Sequence, residues 1–208
     1  VLTGGNYERT LRRAGARGVW RDTADLLAHL DGALQAASPG PAHVTWDVVH
    51  GLMREAQAAA RDALAKGEAP SGCVLARGDG TVIARGLEAV ERTHDPIAHA
   101  ALAALNEGAG RVAPGTADLI LACTLEPCAM CTGAAMEGNV ETVVYALKAP
   151  VDSGTSRVTP PETAHLRMPR IVGYVLADEA RALLQEYRRK GKDTPRSSRL
   201  RHFLEEGR

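Results

Sequence analysis

Apolar residues recur along this chain at helical spacing in some stretches and as short β-rich runs in others, and the two patterns divide it into elements. Leu26, Leu27, Leu30 and Leu34 form an apolar stripe behind Asp22 or Thr23, either of which can cap, so a short helix is expected from Asp22 to about Ala37. Its plain role is to pack on the main domain rather than to bind a partner. Residues 1–21 are rich in Gly and Arg, carry no period and read as loosely ordered. Ser38-Pro39-Gly40-Pro41 breaks the chain and marks a boundary. The main domain is expected over 45–190, after an extension over 1–44 and before a basic, polar tail over 191–208.

Thr45 can cap a long helix running to about Lys66, with Val49, Leu52, Met53, Ala56, Ala60 and Ala63 among its apolar positions. Gly67 stands where a helix end wants a left-handed residue. Cys73–Ala76 and Thr81–Ala84 flank Arg77-Gly78-Asp79-Gly80 and predict a hairpin. Asp95 as cap and Pro96 at the first helical position announce a helix to about Glu107, closed by Gly108 and Gly110. Leu119–Thr124 predicts a strand, and Glu126-Pro127 a helix to about Glu137, ended by Gly138-Asn139. Glu141–Ala146 and Arg170–Leu176 read as strands, and Asp178 caps a last helix through about Lys190. The connection Ala149–Met168 is too long for a simple turn and is a candidate site-lining loop. This order implies an α/β fold with a central sheet covered on both faces by helices.

Composition narrows the picture. At 208 residues the chain suits one well-buried domain with an appended element. Only 3% of residues are aromatic, so Ala, Val, Leu and Ile must build the core. Basic and acidic residues balance at 25 each, which argues against a large footprint for nucleic acid. The exception is 181–208, where nine basic residues face four acidic ones. Such a run more often marks a solvated helix end than a phosphate contact. No apolar run approaches the roughly 20 residues of a membrane span, and Val1–Gly5 shows no signal-peptide pattern. A reducing, cytoplasmic setting fits a chain whose four cysteines do not form a disulfide framework.

Two of those cysteines carry the chemistry. Cys128 and Cys131 stand three apart behind Pro127, which can place two thiolates on one turn of a helix. His99, 29 residues before Cys128, offers a third ligand. Three protein ligands and an open fourth position describe a catalytic rather than a structural zinc. A structural zinc would need a fourth ligand from the protein. The remaining candidates, Cys73 and Cys123, read as buried apolar thiols. Because both ligand-bearing helices are expected to begin with proline, the ligands fall near helix N-termini, which favour thiolate and anionic oxygen.

The run Thr124-Leu125-Glu126-Pro127-Cys128-Ala129-Met130-Cys131-Thr132-Gly133-Ala134, with Asp95-Pro96 and His99 before it, resembles the cytidine deaminase superfamily. Within it the likeness is to the branch of bacterial tRNA adenosine deaminases, guanine deaminases and fungal-type cytosine deaminases. It covers about residues 45–190 and does not extend to the first 44. The resemblance implies a three-layer α/β/α fold with a mixed five-stranded sheet, Zn2+ on His99, Cys128 and Cys131, and hydrolytic deamination of an amino-substituted purine or pyrimidine base or nucleoside. It also implies a homodimer, a backbone N–H of Cys128 on the attacking oxygen and a carbonyl of Glu126 that orients the leaving amine.

One element of the family pattern is missing. Two residues after the histidine the family carries a glutamate that moves protons between water, ring nitrogen and ammonia; this chain has Ala101. Losing general acid–base catalysis costs about 10²–10⁴-fold, so very slow turnover is expected. A Glu→Ala replacement that traps substrate in an intact site explains this, as does a natural pseudoenzyme or interaction subunit like the non-catalytic partner in the eukaryotic tRNA adenosine deaminase pair. The intact ligands and helix favour the first.

For substrate contacts, the family has an asparagine seven residues before Asp-Pro, and Glu88 stands there. An accept-only carboxylate favours a ligand edge with two donors, or a ribose diol. The alternative is a solvent-facing loop charge. His94 and Thr93 are weaker candidates at the mouth, and Asp152, Ser153 and Ser156 lie in the loop that closes the pocket in the family. The charge balance and Glu88 lean toward a small amino-heterocycle over tRNA.

Overall fold

Small residues set the spacing between layers. The computed structural model describes residues 23–28, 44–113, 116, 118–149, 152–161 and 166–190. The chain divides into two units, Val1–Pro39 and Gly40–Arg208. In the first only a helix, α1 (Thr23–Ala28), is described. Its expected continuation to Ala37, the segment 1–21 and the basic tail 191–208 lie outside the described residues.

In the second unit five strands form one sheet: β1 (Gly72–Arg77), β2 (Val82–Leu87), β3 (Leu119–Leu125), β4 (Val140–Leu147) and β5 (Arg170–Val172). Their order is β2-β1-β3-β4-β5. β1 runs antiparallel to both β2 and β3, while β3, β4 and β5 are parallel. The helices are α2 (Trp46–Ala65), α3 (Val90–Thr93), α4 (Ala100–Ala109), α5 (Ala129–Glu137) and α6 (Ala177–Arg189). None is long and apolar enough to cross a membrane.

Alternation along the strands separates two cores. Val74, Ile120, Ala122, Val144 and Val172 face one side, against Val49, Leu52 and Met53 of α2 and Leu183, Leu184 and Tyr187 of α6. Leu75, Leu121, Cys123 and Val143 face the other, against Ala101 and Ala104 of α4 and Ala135 of α5. The result is the three-layer α/β/α arrangement. A methyl added at Gly72 would overlap the Ala56 carbonyl of α2, and one at Gly86 the Ala100 carbonyl of α4. Glycine at these two strand positions lets helix backbone lie directly on the sheet.

Thr45 caps α2 as expected, accepting from Val48 N–H at 3.4 Å, and Gly67 takes φ +81° beyond its end. At the end of α5 the left-handed residue is Asn139, with φ +52°. Two expected boundaries move. β5 stops at Val172 because Gly173 passes against the Tyr145 ring and Tyr174 and Leu176 both turn left-handed. Leu176, whose carbonyl accepts from Gln57 Nε2 at 3.0 Å, precedes α6, so Asp178 lies within the first turn instead of capping it.

The two remaining cysteines also depart from expectation. Cys73 and Cys123 are buried, but they are joined in a disulfide instead of standing as separate thiols. The register places them directly opposite each other on β1 and β3, with Cα atoms 4.3 Å apart.

Candidate metal centre and substrate cleft

Two helix starts meet at the C-terminal end of β3. Glu126 extends the parallel pairing by one step, donating its N–H to the Leu147 carbonyl at 2.8 Å. Pro127 then turns the chain, and Cys128 stands at the N-cap of α5 with extended backbone (φ −69°, ψ 175°). Its carbonyl accepts from Thr132 N–H at 2.9 Å. Pro127 therefore precedes the cap instead of filling the first helical position, and Cys131 falls in the first turn.

The second start differs more from its expected form. Asp95-Pro96 does not open a helix. α3 ends at a left-handed His94, and Asp95 folds the chain locally, its Oδ1 accepting from Ile97 N–H at 3.0 Å. The Ala98 carbonyl takes the Ala89 N–H at 3.0 Å, which closes the turn. His99 is the N-cap of α4, so it lies just before the first turn, not within it. An aspartate side chain bonds a nearby N–H as readily in a turn as in a cap, and the same Asp-Pro pair serves both.

Cys128 Sγ, Cys131 Sγ and His99 Nδ1 form a triangle with every side 3.6 Å. A tetrahedral zinc with Zn–S of about 2.3 Å and Zn–N of about 2.0–2.1 Å needs ligand separations of roughly 3.5–3.8 Å. The three donors therefore fit zinc in both chemistry and spacing. The Cys131 thiol and then His99, both bonded to Cys128 Sγ, hold the Cys128 thiol down at about 3 against the opposing effect of burial. Cys128 stays a thiolate at neutral pH, the form a metal requires.

A cleft opens over this triangle, lined by Gly72, Cys73, Glu88, Ala100, Ala101, Cys123, Glu126 and Asp152 together with the three donors. Ala101 lies on its wall and is nearly buried, at 6% exposed. Glu88 lies on the wall too, at 2% exposed, so it is no solvent-facing loop charge; its Oε2 accepts from Ala100 N–H at 3.3 Å. Asp152 lines the mouth and is exposed. Thr93 and His94 are exposed and do not line the cleft. Ser153 is buried behind it, and Ser156 meets Ser153 Oγ at 2.6 Å.

The reading from sequence missed the Glu126 side chain. Its buried carboxylate accepts from Ala149 N–H at 2.8 Å, Ser153 Oγ at 2.5 Å and Thr155 Oγ1. These bonds fasten the loop after β4 over Cys128. Gly154 presses closest: its N–H donates to the Pro127 carbonyl at 2.9 Å, and an added methyl would overlap the Cys128 backbone. The clustered hydroxyls at 153, 155 and 156 around a glycine were the available signal.

The model of the cytidine and deoxycytidylate deaminase zinc-binding region matches residues 47–147. Over 157 residues the chain is 38% identical to the tRNA(Ile)-lysidine synthase of Deinococcus radiodurans, a match that takes in 73% of this chain and 27% of that protein. The chain thus spans about a quarter of that relative's length. It is 31% identical over 151 residues to the tRNA-specific adenosine deaminase of Streptococcus pyogenes, covering 71% of this chain and 94% of that one. A solved guanine deaminase from Nitrosomonas europaea superposes with a TM-score of 0.55 at 26% identity, over 65% of this chain and 82% of the other. The chain belongs to the cytidine deaminase superfamily, on the branch that includes tRNA adenosine and guanine deaminases.

Proposed function

We propose that the chain holds Zn2+ on His99, Cys128 and Cys131 and binds the amino-bearing ring of a purine or pyrimidine base or nucleoside over it. The 3.6 Å triangle carries this reading, because three soft donors at tetrahedral spacing are left with one open direction, into the cleft. Zinc in such a site lowers the pKa of a water toward about 7. Residues of the chain supply the rest: Cys128 N–H at the start of α5 faces the incoming oxygen, the Glu126 carbonyl orients the amine, Asp152 contacts the ring, and Glu88 lines the cleft beside it. The methyl of Ala101 can carry no proton, so turnover is slow.

Loading the protein with zinc and replacing Ala101→Glu tests the reading. One zinc per chain and ammonia release from guanine, adenosine or cytosine, raised about 10²–10⁴-fold over the parent, is the expected result. Silence of Ala101→Glu across free bases, nucleosides and tRNA would instead make this a binding subunit.

A second reading has the base presented by tRNA, favoured by the tRNA-acting relatives in Streptococcus pyogenes and Deinococcus radiodurans. Mass spectrometry of a co-purifying small molecule against a gel shift with tRNA separates the two. The superfamily likeness also supports a homodimer, checked by light scattering. In a cytoplasmic setting the Cys73–Cys123 bond would have to resist the reducing pool there.

A further inference from the structure

Position 101 bears a methyl group where the superfamily has its proton carrier, yet the cleft has a buried acid. Three residues lining it carry a carboxyl group: Glu88, Glu126 and Asp152. Glu126 accepts from Ala149, Ser153 and Thr155, and those bonds hold the loop over Cys128. Those bonds engage both of its oxygens, so a proton on either would break the anchorage. Asp152 is exposed on the loop, where water competes for its protons. Glu88 follows β2 directly, is 2% exposed, and sets its Oε2 on the Ala100 N–H at 3.3 Å. Ala100 stands between His99 and Ala101. The Glu88 carboxylate therefore lies against the turn of α4 on which a side chain at 101 would stand. It reaches that turn from the strand.

We infer that Glu88 is the proton carrier of this site, in place of the residue at 101. This rests on the proposed zinc-dependent function. An O–H bond of water breaks while its oxygen bonds to the amino-bearing carbon, and Glu88 passes the released proton to the ring nitrogen that takes the C=N pair. A second passage moves the remaining hydroxyl proton to the amino nitrogen. The C–N bond breaks with its pair on nitrogen, ammonia leaves, and the oxygen becomes a carbonyl. One water enters and one ammonia departs, with Glu88 returned to its starting state.

Four zinc-loaded chains test this: the parent, Glu88→Gln, Ala101→Glu and the double variant. Ammonia release in a single turnover, bound zinc, and calorimetric affinity for guanine, adenosine and cytosine are measured on each. Glu88→Gln keeps the shape and the Ala100 bond, so zinc content and base affinity should stay within about twofold of the parent while its slow turnover falls about tenfold or more. The double variant should match Ala101→Glu, which also shows that Glu88→Gln folds. Equal rates in Glu88→Gln and the parent overturn the inference. So does a loss of base affinity parallel to the loss of rate, which would make Glu88 a reader of the ring. A dead double variant beside an active Ala101→Glu would make it a support for α4, again overturning the inference. A parent without measurable release beside an active Ala101→Glu overturns it and leaves the proposed function standing. Silence of Ala101→Glu removes both.

Discussion

Cys128 shows how neighbours prepare an atom for its role. Bonded by Cys131 and His99, its thiol is held at about 3 against an ordinary 9.0. In chelator-stripped protein, alkylation of Cys128 by iodoacetamide is expected to keep its rate from pH 8 down to pH 5. An ordinary thiol would slow about tenfold per pH unit over that range. Because the folded value is depressed, this group adds stability that builds up as pH rises from about 3 toward 9.0 and is lost as pH falls through about 3. His99→Ala and Cys131→Ser should each leave less than one zinc per chain by elemental analysis, because either opens the triangle. At this scale the grouping of His99, Cys128 and Cys131 was legible, since their spacing and residue types match a donor set that zinc accepts. The Glu126 carboxylate was not, because its partners lie 23 to 29 positions away on a loop with no period.

Between elements, close backbone approach makes the site and makes it fragile. A methyl at Gly154 would overlap Cys128, so Gly154→Ala is expected to lower zinc affinity and cost about 1–3 kcal/mol by urea titration. The same substitution at Gly51, where nothing lies within 4 Å, should leave zinc binding unchanged. The disulfide closes a separation of 50 residues in the sequence, and Cys73→Ser with Cys123→Ser should cost about 2–4 kcal/mol, read from melts with and without reductant. Apart from the unexpected α3, helix and strand identities followed from periodicity, but the starts of α4, α5 and α6 did not. Asp95, Pro127 and Asp178 each sit near a helix start without filling the expected position, because packing selects which of several adjacent turns becomes the first.

For the whole molecule, charge balance sets the expectation on partners. If the ligand is a small heterocycle, tRNA binding should be weak and should vanish between about 50 and 200 mM salt. Tight binding that persists would favour the tRNA-borne base, and with it the relatives that act on tRNA. By itself the sequence determined the α/β class, the His-Cys-Cys spacing and the absence of a carboxylate at 101, while the superfamily came from the resemblance of its motifs. Each of these follows from local spacing and residue chemistry. Tertiary structure alone decided that Cys73 meets Cys123, that Glu126 anchors a loop and that Glu88 is buried against α4. Those contacts join segments through sheet register and layer packing, which no local pattern encodes. His99, Cys128 and Cys131 could be named from their spacing; that they stand 3.6 Å apart depends on two helices starting at one point.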